Sequence, residues 1–168
     1  MFETEADIHE LQALIERSEA QMGRHMRSIV KPERRLSARQ VVGYLEGIKH
    51  VAFATVNGRG EPRVSPLDGL FIRGRFHVST GGHAARLRHV RRRPQVSLTH
   101  FSGDDIAVMV HGTATVIGGD DLESAELEPV YVDVYGSSPF TWGEGVVFIR
   151  VEPSEMFTYA THPERFPG

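Results

Sequence analysis

The stretch FHVSTGGHAARLRHVRRRP, residues 76–94, holds the residues of this sequence best suited to bind a charged group. An apolar, strand-like run ends in Ser79 and Thr80, two glycines follow, and a helical segment then carries Arg86. A helix that begins after the glycines directs unpaired backbone N–H groups and the positive end of its dipole toward one point. Two hydroxyl groups, glycines that permit close approach and the Arg86 guanidinium complete a donor set for phosphate. The residues therefore predict an anion cradle.

The other arginines of this stretch do not share that geometry. At about 100° per residue along a helix, Arg88, Arg91 and Arg92 point to other faces, as solvated side chains or helix C-terminal charges do. A nucleic-acid-binding module is an alternative that rests only on this arginine run. The run lacks the interleaved aromatic residues on which bases stack, and the chain carries a net charge of −3. We therefore expect no nucleic-acid partner.

Other residue types that often carry chemistry form no motif. The six histidines from His50 to His111 include no His-x-His pair and no i, i+4 pair, so no metal site is predicted. The absence of cysteine excludes thiolate ligands and thiol catalysis. His111 is the histidine best placed to face a ligand, and Trp142, in a predicted loop, is either a lid on the core or a wall of a ligand pocket. No acid–base dyad is visible, and no catalytic residue is assigned.

The N-terminal segments have the patterns of helices. Residues 5–28 carry apolar side chains at helical spacing. Ser37 is suited to cap a second helix, which Gly47 ends. We interpret residues 1–36 as a helical arm attached to a single domain over residues 37–168.

The rest of the chain alternates between extended segments and glycine-rich turns, which favours antiparallel strands. Helices are predicted over residues 82–93, closed by Pro94, and over residues 120–135. The chain ends in a predicted long strand pair with a bend near Pro153. Many antiparallel strands with few helices predict a mainly β, α+β fold built as a small barrel with flanking helices.

Composition limits the class of protein further. A chain of 168 residues with 40% hydrophobic content is long enough for one well-buried domain. It has no run of about 18 apolar residues, and its first residues, MFETEADIHELQ, are acidic rather than typical of a secretory leader. We expect a soluble cytoplasmic protein with no membrane partner.

Several of these segments together resemble the split β-barrel proteins of the pyridoxamine 5′-phosphate oxidase-like, FMN-binding family. The matching features are a strand ending in ATV, a Gly-x-Pro hairpin, the strand VSPL, a strand closing on Ser-Thr, and a helix with a basic residue before RRP. The strand PQVSL follows, and VMVHGTATVI and VVFIRVEP resemble two later strands of the family. The resemblance covers roughly residues 37–160.

The resemblance implies a homodimer that binds a flavin or deazaflavin at the subunit interface. The cofactor phosphate would lie against Ser79, Thr80 and Arg86, with Leu87 beside them. The ring system would lie along the strand that carries the family's VSPL motif, at Val64, Ser65, Pro66 and Leu67. Hydride transfer is the cofactor's own chemistry, so such a protein needs no acid–base dyad.

Two departures from the family pattern narrow the implied activity. Family oxidases that use FMN typically carry an Arg-Lys pair where this chain has Ala85 and Arg86. The closing Trp…Arg-x-His-x-Arg motif of true pyridoxamine phosphate oxidases is absent, since the chain ends in THPERFPG. We therefore expect a reductase of a small organic acceptor that uses coenzyme F420 or FMN, with F420 preferred. The alternative is a non-catalytic barrel that binds a flavin, haem or similar planar ligand.

Overall fold

Six antiparallel strands form a closed barrel in a computed structural model that describes residues 2–166 and 168. Around the barrel the strands follow the order β1-β2-β3-β6-β5-β4. Their bounds are β1 (Lys49–Val56), β2 (Pro62–Ile72), β3 (Arg75–Thr80), β4 (Gln95–Ser102), β5 (Ile106–Ile117) and β6 (Val147–Ala160). Together with the flanking helices this confirms the α+β barrel predicted from the sequence.

In the described part of the chain, five α-helices lie around the barrel. They are α1 (Glu5–Ala20), α2 (Arg24–Ile29), α3 (Ala38–Tyr44), α4 (Ala85–Arg92) and α5 (Leu122–Tyr135). The cap predicted at Ser37 is present, because its side chain accepts a hydrogen bond from the Gln40 N–H and Gln40 reaches back in a capping box. Among the described residues no helix is long and apolar enough to cross a membrane.

Two predicted elements were wrong in detail. The single helix over residues 5–28 is broken, because α1 ends at Ala20 and Gly23 caps a separate short helix, α2. The predicted C-terminal strand pair is one strand, β6, which pairs with β5 along almost its whole length. Pro153 does lie at an irregularity, since the β5–β6 register shifts between His111 and Gly112.

The N-terminal helix packs against the outside of the barrel. Leu11, Leu14 and Ile15 of α1 are buried in the same hydrophobic cluster as the barrel residues. Ser18 is also buried, and its hydroxyl oxygen accepts a hydrogen bond from the Met156 N–H of β6. The barrel and its N-terminal helix therefore share one core.

The β5–β6 irregularity depends on a glycine. A Cβ atom added at Gly112 would collide with the Glu152 carbonyl oxygen and approach the Pro153 Cα to 3.0 Å. We predict that Gly112→Ala lowers the free energy of unfolding by about 1–3 kcal/mol, as overpacking against rigid backbone does, with a lower Tm in calorimetry. Gly143→Ala, where an added Cβ meets nothing within 4 Å, is the control and should leave Tm nearly unchanged.

Candidate cofactor site

The end of β3 and the start of α4 bring two predicted site residues into contact. Arg86 Nη1 donates a 2.6 Å hydrogen bond to Oγ1 of Thr80, whose residue is only 6% exposed. The Nε atom of Arg86 is buried and has no hydrogen-bond partner in the part of the chain that the structure describes. A buried guanidinium N–H without an acceptor is costly, so this position suits an anion that would supply one.

The helix start beside Arg86 lacks the usual side-chain cap. The sequence predicted a helix from residue 82, but α4 begins at Ala85, so Arg86 is its second residue. The N-cap residue is Ala84, which makes no side-chain hydrogen bond to the helix. The first amide N–H groups of α4 are therefore not satisfied by a side chain and are suited to bind an anion at the positive end of the helix dipole.

The glycine turn between Thr80 and α4 is held by a second glycine-containing loop. A Cβ atom added at Gly82 would lie 2.6 Å from the carbonyl oxygen of Gly145, in the loop that precedes β6. This second loop was not among the site residues predicted from the sequence. Its signal is the Gly-x-Gly pair of WGEGV, just before the last strand.

This close approach predicts a matched pair of variants. Gly82→Ala should push the two loops apart and weaken FMN binding roughly tenfold or more, about the value of one charge-assisted hydrogen bond. Gly81→Ala should weaken FMN binding much less, because an added Cβ at Gly81 meets no protein atom within 4 Å and leaves the two loops in place. Isothermal titration of both variants with FMN and with riboflavin, which lacks the phosphate, measures the effect. Equal losses for both ligands would contradict an effect on the phosphate site.

The predicted ring-binding stretch lies near this loop. The pairing of β2 with β3 ends at Gly69 and Val78. Leu67 lies two residues before Gly69 and Thr80 lies two residues after Val78, so both are at the same distance from the last pair. The register therefore places the stretch at the end of β3 from which the glycine turn projects. Val64 is 67% exposed, while Leu67 is half-buried against the core.

Side chains of the four ring-binding positions do not share one face. Strand alternation places Val64 and Pro66 on one face of β2 and Ser65 and Leu67 on the other. Leu87, also predicted to contact the cofactor, is 1% exposed and packs in the barrel core. Ser79 is half-buried and pairs with a residue of β6. The direct contact among the predicted residues is thus between Thr80 and Arg86.

The remaining arginines of α4 lie outside this contact. Arg88, Arg91 and Arg92 are exposed, the placement that helical spacing predicts. Arg93 donates instead to the backbone carbonyl oxygen of Asn57, which ties the end of α4 to the β1–β2 turn. Three exposed cations therefore lie on the helix that carries Arg86.

The contacts of His111 and Trp142 are with residues other than Thr80 and Arg86. His111 is exposed on β5, and its Nδ1 lies 2.7 Å from Oγ of Ser97. Trp142 is 42% exposed and packs edge-on against Tyr135 of α5, with ring centroids 4.9 Å apart. Within residues 2–166 and 168, no three His, Asp or Glu side chains come together in an arrangement that suits a metal ion.

Comparisons with known proteins agree on one fold. A conserved hypothetical protein, Rv2991 of Mycobacterium tuberculosis, is similar with a TM-score of 0.68 and 16% identity over 83% of this chain and 94% of its own. An F420 reductase is similar with a TM-score of 0.55 and 18% identity, over 67% and 91%. A pyridoxamine 5′-phosphate oxidase-related, FMN-binding protein of Nostoc punctiforme has a TM-score of 0.51 and 14% identity, over 64% and 73%.

Identities this low establish a shared fold only. No curated protein matches the sequence. The family model described as pyridoxamine 5′-phosphate oxidase matches residues 37–160, which span every strand of the barrel and the whole of the Thr80–Arg86 contact. A match of that extent shows that this chain belongs to the pyridoxamine 5′-phosphate oxidase family.

Proposed function

We propose that this protein is an oxidoreductase that uses F420 or FMN, with F420 preferred, to reduce a small organic acceptor. The observation that carries the proposal is the buried Arg86 Nε without a hydrogen-bond partner among the described residues, beside Thr80 and the uncapped start of α4. A phosphate group would satisfy all three features at once. Membership of a family with flavin- and F420-related structural neighbours supports a cofactor of this type.

Each part of the proposed site has a separate task. Arg86 and the first N–H groups of α4 would bind the phosphate, and Thr80 holds the guanidinium in place. The backbone and side chains of Val64–Leu67 would lie along the ring and exclude water from one of its faces. The bound cofactor supplies the hydride chemistry, so the protein's own contribution is binding and orientation.

The charge of the cradle favours F420 over FMN. Arg86 is the one cation at the contact, since its neighbour is Ala85. A single cation matches a phosphodiester of charge −1 better than a phosphate monoester near −2. F420 continues past its phosphodiester into an acidic tail, and the exposed Arg88, Arg91 and Arg92 are suited to attract it.

A homodimer is part of the proposal because the outer face of the ring-binding strand is uncovered. Cross-strand pairing places Val64, Ala54, Ser97 and His111 in one row across β2, β1, β4 and β5. Val64 is 67% exposed, and the residues beside it in the row are small. A second copy packed on this face would cover Val64 and enclose the ring. The family resemblance implies the same assembly, a homodimer with the cofactor at the subunit interface.

Titration with both cofactors at two salt concentrations tests the proposal. We expect F420 to bind more tightly than FMN, and its affinity to fall more steeply with added salt because the tail contacts are exposed and screened. Quenching of cofactor fluorescence measures both affinities. Tighter binding of FMN at both salt concentrations would reverse the choice of cofactor, and binding of neither would remove the proposal. A haem Soret band with no flavin binding would support the planar-ligand alternative.

A further inference from the structure

A cavity of about 510 Å³ lies on the outer face of the barrel beside α5. Strands β3 and β6 line one side of it, and the first turns of α5 line the other. The side chain of His77, which lines this cavity, projects from the face of β3 opposite to that of Thr80. The cavity is therefore separate from the proposed cofactor site, and its volume is within the range of small-molecule sites.

Two buried polar atoms beside this cavity lack partners. His77 and Arg150 are opposite each other on β3 and β6. His77 is 4% exposed, and its Nδ1 makes no hydrogen bond within the described ranges 2–166 and 168. The Nε of Arg150 likewise makes none, and the Glu152 carboxylate is 3.8 Å away from it. Buried polar groups are usually paired, so an unpaired adjacent couple points to a polar guest.

The ion pairs around the cavity leave one cation and one anion outside them. Arg150 pairs with Glu123, and Arg75 pairs with Glu152 at 2.7 Å. The remaining two charged residues of the lining, Arg73 and Glu126, are exposed, and neither side chain has an ion pair or hydrogen bond to any residue that the structure describes. Arg73 interacts with Asp7 only over a longer distance, through its charge. An exposed guanidinium and an exposed carboxylate, both able to bind a guest, thus line one cavity.

The rest of the wall is apolar. Ile72 is 7% exposed and Leu127 is 5% exposed, and Val130 of α5 completes this side of the cavity. Apolar walls with a few charged groups are typical of small-molecule sites. They favour a guest whose body is an aliphatic side chain.

We propose that this cavity binds a small zwitterion with an apolar side chain, of the class of the aliphatic α-amino acids. Arg73 and the Arg150 Nε would bind the carboxylate, Glu126 would bind the ammonium group, and Leu127 and Val130 would pack on the side chain. A simple anion would make no favourable contact with Glu126, and a simple cation would make none with Arg73, whereas a zwitterion can bind both. A neutral apolar molecule would leave the buried Arg150 Nε without an acceptor.

The state of His77 makes the proposed site insensitive to pH near neutrality. The pKa of His77 is lowered to about 4, chiefly by burial and in smaller part by the charges of Arg150 and Arg75, while the Arg75 backbone and Glu152 oppose the shift. Glu123, on α5, is 3.8 Å from the ring Nε2. The imidazole is therefore neutral from pH 6 to pH 8, where an α-amino acid also remains a zwitterion.

The test uses leucine as the probe and two analogues that each lack one charge. By isothermal titration of the full chain, L-leucine should bind, while 4-methylpentanoate and 3-methylbutylamine should bind roughly tenfold or more weakly. The leucine affinity should be equal at pH 6 and pH 8. No leucine binding at millimolar concentration, or equal binding of either analogue, would overturn the proposal.

Variants then identify the two charged contacts. Glu126→Gln should weaken leucine binding but not 4-methylpentanoate binding, and Arg73→Gln should weaken leucine binding but not 3-methylbutylamine binding. Asp133→Asn makes the matched charge change at an exposed position of α5 outside the cavity and should change nothing. Equal losses in Glu126→Gln and Asp133→Asn would contradict a specific site. FMN or F420 affinity should be unaffected in all three variants, so the result does not depend on the proposed function.

Discussion

Arg86→Ala is expected to weaken the binding of FMN or F420 by about 10- to 100-fold, the value of a charge-assisted hydrogen bond of about 1.5–3 kcal/mol. The guanidinium is held by Thr80 and keeps a buried Nε free of partners in the described structure. Its removal takes away the one cation at the start of α4. The fold should be retained, because the only side-chain hydrogen bond that Arg86 makes within the described residues is the one to the Thr80 hydroxyl. Titration by fluorescence quenching, with circular dichroism to confirm folding, measures the effect.

Two neighbouring arginines are the controls for this prediction. Arg88→Ala and Arg91→Ala remove the same charge from exposed positions of the same helix. We expect both to change FMN affinity much less, and to reduce F420 affinity modestly at low salt only. Similar losses of FMN affinity in all three variants would indicate a diffuse positive surface rather than a cradle at Arg86.

His77 should make the protein lose stability as the pH falls from about 6.5 to about 4. Burial lowers the pKa of His77 to about 4 in the fold, from an ordinary value of 6.5. Between these values the unfolded chain binds a proton that the folded chain does not, so unfolding is favoured as the pH drops. The contribution of neutral His77 to the free energy of unfolding is complete above pH 6.5 and is lost at pH 4. The difference of about 2.5 between the two pKa values corresponds to about 3 kcal/mol of that free energy.

The variant His77→Asn separates this contribution from that of the carboxylates. Glu123 and Glu152 lie near the imidazole, as do Arg75 and Arg150, and acidic groups elsewhere also titrate near pH 4. Urea unfolding at pH 7, 5.5 and 4.5 should show a steeper loss of stability in the wild type than in the variant. Parallel losses in the two proteins would mean that His77 titrates normally in the folded state.

Local patterns in the sequence predicted the elements that depend on local interactions. Ser37 is the N-cap of α3. Its hydroxyl accepts a hydrogen bond from the Gln40 N–H, and the Gln40 side chain accepts one from the Ser37 N–H, so both contacts form within one turn. Thr80 and Arg86 are six residues apart, so a strand, a glycine turn and the first turn of a helix are enough to bring them together. The contact between Thr80 and Arg86 was therefore predictable from a short stretch of sequence.

Features set by distant parts of the chain were not predictable in this way. Helical spacing continues through Gly23, so the break between α1 and α2 has no clear signal in the apolar pattern. The contact of Gly82 with Gly145 joins residues on either side of α5. The cavity beside His77 is assembled from β3, α5 and β6, and only the barrel register brings His77 opposite Arg150.

Native mass spectrometry with FMN, F420 and riboflavin tests the central claim most directly, namely that the subunits of a dimer bind a flavin-type cofactor by its phosphate at Thr80 and Arg86. We predict a dimer that carries up to one FMN or F420 per subunit. Riboflavin, which has the ring of FMN without its phosphate, should be bound at least about tenfold more weakly. A monomer that still binds cofactor tightly, or riboflavin bound as well as FMN, would contradict the account.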